Sequence, residues 1–285
     1  IRDYQPRVVI SFLTMVNIII LISLHNINIP IIISERNDPD QASRKEKILS
    51  HLVYRLADCV VVQTNCIKNK IEKFYKKSID VIANPLTECK TEKIDYTQKK
   101  KLIAVGRLNK QKNYSLLLKA FKEIVCEYPE YSLDIYGVGE EEQFLKQYVS
   151  ELNIQKNVSF KGNVDNILEV EKEYDFFVMT SNYEGMPNAL AEAMSVGMPC
   201  ISTDCDGGGA AELISHEKNG LLVQKNNVEA LILAMKCYIK QPDYAKLMGE
   251  KAKCVRQRLS NKNIMSQWNV LIRNVIKDFE EHQLC

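Results

Sequence analysis

Residues 180–203 constrain the fold more than any other stretch of the sequence. An apolar run, Phe176–Met179, is typical of a strand and ends where this stretch begins. Met186-Pro187-Asn188 marks a helix start, because proline fits the first helical turn and asparagine is a good cap. Gly197-Met198-Pro199 ends this helix before a second strand, Cys200-Ile201-Ser202. Strand, turn, helix and strand in this order predict a parallel α/β unit.

Two glutamates frame the helix start: Glu184 lies on the turn, and Glu192 lies eight residues later, about one turn inside the helix. A helix N-terminus has unpaired N–H groups and a partial positive charge, and both favour a bound phosphate. Glu192 can then accept hydrogen bonds from a ribose, and Glu184 can reach a sugar beyond the phosphates. Glutamate pairs at this spacing are also common on solvated surfaces, so the prediction depends on the flanking strand and turn.

The segment from Glu184 to Glu192, Glu-Gly-Met-Pro-Asn-Ala-Leu-Ala-Glu, resembles the donor-site signature of glycosyltransferase family 4, retaining enzymes with the GT-B fold. The resemblance extends from about Val8 to about Ile239. It implies a nucleotide diphosphate sugar as donor, with Arg107 and Lys112 holding the diphosphate in place of a metal ion. The implied catalytic residues are Glu184, Arg107 and Lys112, and the implied donor-binding residues are Arg107, Lys112, Gly185, Met186, Asn188, Ala189 and Glu192.

Length and composition set the broad class. With 285 residues, of which 46% are hydrophobic, the chain has room for about two domains with sizeable cores. The 38 Lys and Arg residues nearly balance the 36 Asp and Glu residues, so we expect no nucleic-acid partner. Nine cysteines without a Cys-x-x-Cys pair favour a reducing, cytoplasmic setting over a disulfide scaffold or a zinc site. We expect neither a metal nor another cofactor.

Residues 1–95 are predicted to form an acceptor-side Rossmann-like domain. The apolar run Val8–Leu24 contains four polar residues and is shorter than the roughly 20 residues of a membrane span. We therefore expect a buried strand over Val8–Phe12 and a buried helix over about Met15–Leu24. The other elements predicted here are a strand over 29–34, a helix over 44–57 with Ile48, Leu52 and Leu56 on one face, strands over 59–62 and 79–82, and a helix over 65–75.

Charged residues follow the predicted strand over 29–34. Glu35 and Arg36 begin the segment Glu-Arg-Asn-Asp-Pro at the carboxyl end of that strand, which is where open α/β sheets bind ligands. We assign Glu35 and Arg36 to the acceptor side of the site, and an ordinary polar loop is the alternative explanation.

Residues 96–285 are predicted to form the donor-binding domain, after a lysine-rich linker from Thr87 to Lys101. Gly137-Val138-Gly139 does not predict a dinucleotide site, because Glu142 takes the third glycine position. Asp204-x-Asp206 is similar to a metal-binding pair, but Arg107 and Lys112 already supply positive charge. Gly207–Gly209 either lets the backbone approach a ligand or permits a strained turn. We also expect a short helix over 165–172, and a final helix over 264–281 that packs back on the first domain.

Together these features predict two doubly wound Rossmann-like domains that face a cleft in a GT-B fold, the first of them incomplete. The predicted function is retaining transfer of a hexosyl or N-acetylhexosaminyl group from a nucleotide sugar, expected to be UDP-linked. The expected acceptor is a glycan or a polyprenyl-linked glycan in the synthesis of a bacterial surface polysaccharide, such as capsule or lipopolysaccharide. Peripheral association with the inner membrane is expected only through such an acceptor, because neither a span nor a strongly basic amphipathic helix is evident.

Two departures from the family favour an alternative. The family's first domain begins some tens of residues before the counterpart of Ile1, which implies a missing amino-terminal segment. Phe12-Leu13-Thr14 also stands where many relatives carry a His-Glu-Pro type motif. The alternative is a donor-binding fragment or inactive partner subunit without transfer activity. A sugar-nucleotide epimerase is less favoured, because no acid and base groups for it are evident.

Overall fold

Two parallel sheets organise the molecule. The computed structural model describes residues 4–86, 98–164, 170 and 173–283. The amino-terminal sheet has the order β1-β2-β3-β4, with strands Val9–Phe12, Ile31–Ser34, Cys59–Val62 and Ser78–Val81. The carboxy-terminal sheet has the order β10-β9-β8-β5-β6-β7, with β5 to β10 at Lys101–Val105, Ser132–Tyr136, Val158–Gly162, Phe176–Met179, Cys200–Asp204 and Leu221–Gln224. The predicted pair of α/β domains is confirmed.

Helices connect the strands in both domains. The helices of the amino-terminal domain are α1 to α3, at Thr14–Leu24, Arg44–Val53 and Asn65–Ile71, with 3-10 turns at Pro39–Gln41 and Tyr54–Leu56. Helices α4 to α11 lie at Tyr114–Glu127, Glu142–Glu151, Asn188–Val196, Gly209–Leu213, Val228–Lys240, Pro242–Ala252, Val255–Arg258 and Asn261–Gln283. The predicted linker from Thr87 to Lys101 and the predicted helix over 165–172 fall mostly outside the described residues.

Alternating side chains of the amino-terminal strands enter two different cores. Ile31 and Ile33 of β2 pack with α1 and α3 on one face of the sheet. Ile32 points to the other face, where it joins a cluster that includes Met186, from the turn before α6, and Trp268 of α11. Because side chains alternate along a strand, both faces of this small sheet are covered, and one core is shared between the two domains.

The helix α2 has the opposite orientation from the one its apolar pattern suggests. Ile48 and Leu52 of α2 and Leu56 of the 3-10 turn that follows lie on one side as predicted, but they are 54%, 51% and 41% exposed. The buried side chains are instead Ser50 of α2 and Tyr54 of the 3-10 turn, and the Tyr54 hydroxyl donates to Glu35 Oε2 at 2.6 Å. The need to satisfy that buried carboxylate fixes the rotation of the helix and leaves its apolar face in solvent.

The expectation of a buried α1 is also corrected. Ile18 and Leu21 are buried, but Met15, Ile19 and Ile22 are about half exposed. The helix therefore has one face in the core and a second apolar face outside it.

The last helix, α11, contacts the amino-terminal domain along its length. The Phe12 and Trp268 rings lie 5.9 Å apart, and Arg7 Nη2 lies 3.0 Å from Glu280 Oε1. These contacts hold the carboxyl ends of the two sheets toward a common cleft.

Candidate functional site

Two loops of the carboxy-terminal domain are joined at the edge of the sheet. One follows β5 and the other follows β8. The Thr180 hydroxyl donates to the Lys112 carbonyl at 3.0 Å, and the Asn182 amide donates to the Lys110 carbonyl at 2.9 Å. Gln111 Nε2 donates in turn to the Tyr183 carbonyl at 2.9 Å. These side-chain bonds fix the relative positions of residues that the sequence places about 70 positions apart.

Lys112 and Glu184 form an ion pair at the centre of these loops. The distance from Lys112 Nζ to Glu184 Oε1 is 2.5 Å, and the two side chains are 17% and 10% exposed. Ser181 Oγ donates to the same carboxylate oxygen at 2.8 Å. The structure therefore brings together two of the three predicted catalytic residues, in a nearly buried position where their electrostatic interaction is strong.

The helix α6 begins at the predicted place, although its cap differs from the expected one. Pro187 is at the N-cap with extended backbone, no side chain caps the helix, and Asn188 is the first helical residue. The expectation that asparagine caps the helix was wrong, because the Asn188 amide oxygen accepts a hydrogen bond from Asn84 at 2.8 Å. The first N–H groups of α6 thus have no side-chain acceptor in the described part of the chain, as an anion site requires.

Glu192 lies one turn into α6 and is half-buried. Among the described residues its carboxylate has no hydrogen-bond or ion-pair partner. Burial raises its pKa above the usual range. A desolvated carboxylate without a protein partner is suited to accept hydrogen bonds from ligand hydroxyls.

Arg107 and the glycines after β6 complete this edge. Arg107 is exposed, and its guanidinium has no ion pair within the described ranges. A Cβ on Gly137 would lie 2.0 Å from the Gly106 carbonyl oxygen, and one on Gly139 would lie 2.2 Å from the Leu108 carbonyl oxygen. These two glycines therefore let one loop pack against the other, which accounts for them without a dinucleotide site.

Arg36 connects the amino-terminal domain to the turn before α6. Its guanidinium lies over the Phe12 ring at 4.8 Å and donates to the Asn84 side chain, which in turn donates to Asn188. A Cβ on Gly185 would lie 2.3 Å from the Arg36 carbonyl oxygen. Arg36 therefore sits in the cleft, beside the start of α6.

Glu35 has a different environment from its neighbour. It is 2% exposed, and its carboxylate accepts hydrogen bonds from Thr14 at 2.8 Å and from Tyr54 at 2.6 Å. Burial raises its pKa above the usual range. Its contacts lie within its own domain, where it supports the turn that carries Arg36.

Three residues beside the turn before α6, at the ends of β3 and α7, were not predicted from the sequence as part of the site. Gln63 Oε1 accepts from the Met186 N–H at 3.0 Å, and Thr64 Oγ1 donates to the Gly207 carbonyl at 2.6 Å. Glu212 Oε1 accepts two 2.9 Å hydrogen bonds from Asn65 at the start of α3. Polar residues directly after a buried strand are the signal that could have identified Gln63 and Thr64.

The glycine run serves both a turn and a close contact. Gly207 and Gly208 have φ angles of +84° and +74°, and a Cβ on Gly208 would lie 2.7 Å from Cys66 Cβ in α3. A Cβ on Gly209 would lie 1.7 Å from the Gly185 carbonyl oxygen. The space beside these glycines is therefore filled by protein.

The Asp204-x-Asp206 pair is divided in the structure. Asp206 pairs with Lys225 at 2.6 Å, and Asp204 is exposed. The described residues contain no group of three or more His, Cys, Asp or Glu side chains that could hold a metal ion.

Two parallel-sheet α/β domains that face a cleft are the architecture of the GT-B fold, and the glycosyltransferase structures that superpose on this chain share it. The sequence model of the family Glycosyl transferases group 1 matches residues 87–255. This match covers more than half of the chain, and the protein belongs to that family.

Named relatives agree with this family. An uncharacterized glycosyltransferase of Haemophilus influenzae is 28% identical over 223 residues, which cover 78% of this chain and 63% of that protein. A Campylobacter jejuni α-1,4-N-acetyl-D-galactosaminyltransferase, named for an undecaprenol diphosphate-linked GalNAc-GalNAc-diNAcBac acceptor, is 27% identical over 281 residues (96% of this chain, 77% of that one). The structure of Anabaena HepE with UDP and glucose superposes with a TM-score of 0.83 at 16% identity, covering 96% of this chain and 79% of that one. The chain spans less than two thirds of the length of the Haemophilus glycosyltransferase.

Proposed function

We propose that this protein transfers a hexosyl or N-acetylhexosaminyl group, with retention of configuration, from a UDP-linked sugar to a glycan or polyprenyl-linked glycan. The observation that supports this most directly is the buried Lys112–Glu184 pair, 2.5 Å apart beside the start of α6. Relatives point to the same class: one is named for a lipid-linked glycan acceptor, and a structural neighbour binds UDP and glucose.

The proposed donor site divides its tasks among these residues. Arg107, Lys112 and the first N–H groups of α6, near Asn188 and Ala189, stabilise the negative charge of the departing diphosphate. Glu192 accepts from the ribose hydroxyls, and Glu184 orients the donor sugar through the oxygen that Lys112 and Ser181 leave free. The backbone at Gly185 and Met186 lines the sugar side. No metal ion is required, because the cations and the helix start supply the positive potential.

The proposed reaction needs no protein nucleophile. The acceptor hydroxyl attacks the anomeric carbon on the face from which the diphosphate leaves, so the bond to the acceptor oxygen forms as the bond to the β-phosphate oxygen breaks. The acceptor proton passes to that leaving oxygen. Catalysis then depends on positioning the acceptor and on charge stabilisation. Arg36 is the acceptor-side cation in this scheme, and Glu35 holds its turn.

Calorimetric titration with UDP and GDP tests the donor site, first in EDTA and then with magnesium. We expect UDP to bind without metal, and Glu192→Ala to weaken binding at least tenfold. Glu229→Ala removes an exposed glutamate on α8 and should leave binding unchanged. A folded protein that binds neither nucleotide would refute the donor site.

Product analysis then tests transfer. A glycoside with the donor's anomeric configuration supports the proposal, whereas a free sugar epimer would identify an epimerase. Nucleotide binding without any product would favour a donor-binding subunit.

A further inference from the structure

The strand β4 is an open edge of the amino-terminal sheet. It pairs with β3, and no described strand lies on its other side. The Ile82 N–H donates to the Val62 carbonyl at 2.9 Å. Because the direction of the backbone groups alternates along a strand, those of Asp80 also point toward β3, whereas those of Ile79 and Val81 point outward. The described residues give these outward groups no hydrogen-bond partner, and an edge of this kind can pair with a further strand.

A groove lies between this edge and the helix α11. Its volume is about 960 Å³, and it is lined by Ser78, Asp80 and Ile82 on one side and by α11 on the other. The Gln283 amide donates to the Asn28 side chain at 2.8 Å and places the end of α11 beside the amino ends of the strands. Neither α11 nor another described helix is long and apolar enough to cross a bilayer. None of the residues proposed for the donor site lines the groove, which is therefore a separate surface.

Negative charge predominates in the groove. Three carboxylates line it, those of Asp58, Asp80 and Asp278, with Lys77 and His282 as the basic residues. Lys77 is already used, because its Nζ lies 3.8 Å from Asp58 Oδ1 and donates to a backbone carbonyl at 2.8 Å. The hydrogen-bond donors to Asp80 in the described chain are neutral, and Asp278 is exposed without a hydrogen-bond or ion-pair partner among the described residues. Asp80 and Asp278 are therefore free to bind a cationic partner.

We propose that β4 binds an extended segment of another protein, which adds a strand to the sheet and carries lysine or arginine at alternate positions. Ile82 packs on the side of α11, and Ile79 packs in the core on the other face of the sheet. The side chains of an added strand alternate in the same way, so every second one enters the groove beside Asp80 and Asp278. Val270, which is 57% exposed in the groove, offers apolar surface to the aliphatic stems of these cations. The proposal does not depend on the donor-site assignment.

Fluorescence anisotropy tests this binding with labelled peptides of about eight residues, in which valine alternates either with lysine or with glutamate. We expect saturable binding of the lysine peptide and about tenfold weaker binding of the glutamate peptide. Asp278→Asn should weaken binding of the lysine peptide about threefold at low salt, as for one exposed ion pair. Asp278→Arg should weaken it further and strengthen binding of the glutamate peptide. Asp243→Asn is the matched control, because it removes an exposed carboxylate on α9 and should leave binding unchanged.

Backbone N-methylation of the lysine peptide separates strand addition from simple charge attraction. An added strand directs only every second N–H toward β4, so methylating either the lysines or the valines should abolish binding, and methylating the other set should change it less than about threefold. Failure of the lysine peptide to bind would assign Asp80 and Asp278 to protection of the edge against pairing and would overturn the proposal. Equal effects of the two methylations, or affinity that the Asp278 variants leave unchanged, would also overturn it. Circular dichroism confirms that each variant is folded, and UDP titration of the same samples keeps the two proposals separate.

Discussion

Glu184→Gln is the change that most directly tests the electrostatics of the proposed donor site. Glutamine has nearly the same shape and keeps an oxygen for the Ser181 hydroxyl, but it removes the charge that faces Lys112 Nζ at 2.5 Å. The lysine side chain is only 17% exposed and would hold an uncompensated ammonium. Breaking a fully buried pair costs about 3–5 kcal/mol, and an exposed pair is worth under about 1 kcal/mol. Because some solvent reaches Lys112, we expect a loss of about 2 kcal/mol.

Urea unfolding followed by tryptophan fluorescence measures this loss, and thermal unfolding should show a melting temperature lower by roughly 4 °C. Lys112→Met completes a double-mutant cycle. In Glu184→Gln with Lys112→Met neither charge remains, so the double variant should lose at least about 1 kcal/mol less than the sum of the single losses. A loss below about 0.5 kcal/mol for Glu184→Gln, or strictly additive losses, would refute the buried ion pair.

Three further changes test the domain contacts and Glu192. Thr64→Val should lower the free energy of unfolding in urea by about 2–3 kcal/mol, because both the buried hydrogen bond to Gly207 and the N-cap of α3 are lost. Thr64→Ser keeps the hydroxyl and should retain most of the stability. Gly208→Ala should destabilise the protein by at least about 1 kcal/mol more than Gly162→Ala. Both glycines have positive φ, but only an alanine at position 208 would place its Cβ against Cys66. Equal losses of stability in the two variants would contradict this contact. Glu192→Gln should stabilise the unliganded protein at pH 7. Burial raises the pKa of Glu192 in the folded state above the ordinary value of about 4.3. The native protein therefore loses stability as the pH rises from that ordinary pKa through the raised pKa, and glutamine avoids this loss. Unfolding at pH 7 and below pH 4 measures this gain, which should vanish in acid, and a gain independent of pH would argue against the desolvated carboxylate.

The alternation of strands and helices was predictable because it depends on local sequence. Apolar runs such as Phe176–Met179 predict the strands, and breakers such as Gly197-Met198-Pro199 mark the end of α6. The pairing of Lys112 with Glu184 was only implied by resemblance, since nothing in the spacing of the two residues shows which loops meet. Side-chain bonds such as that of Thr180 to the Lys112 carbonyl bring these loops together.

Orientation and long-range contacts were beyond the sequence pattern. The apolar stripe of α2 predicts a buried face, yet a single hydroxyl, that of Tyr54, determines which face is buried because it satisfies the carboxylate of Glu35. The contact of Thr64 with Gly207 joins residues 143 positions apart, and each is an ordinary residue in its own segment. Periodicity describes each helix separately, whereas these contacts depend on the relative placement of both domains.

The contacts around the turn before α6 link the proposed nucleotide binding to the contact between the domains. Gln63 accepts from the Met186 N–H, the Arg36 carbonyl lies against Gly185, and Asn84 donates to Asn188. These partners come from the ends of three neighbouring strands of the amino-terminal domain. Separating the domains would remove all three contacts from the residues proposed to line the donor site. A donor that binds only when the two domains are in contact must therefore stabilise the domain interface, because it binds the contacting state more tightly than the separated state. In the proposed site, the amino-terminal domain is therefore a determinant of donor affinity.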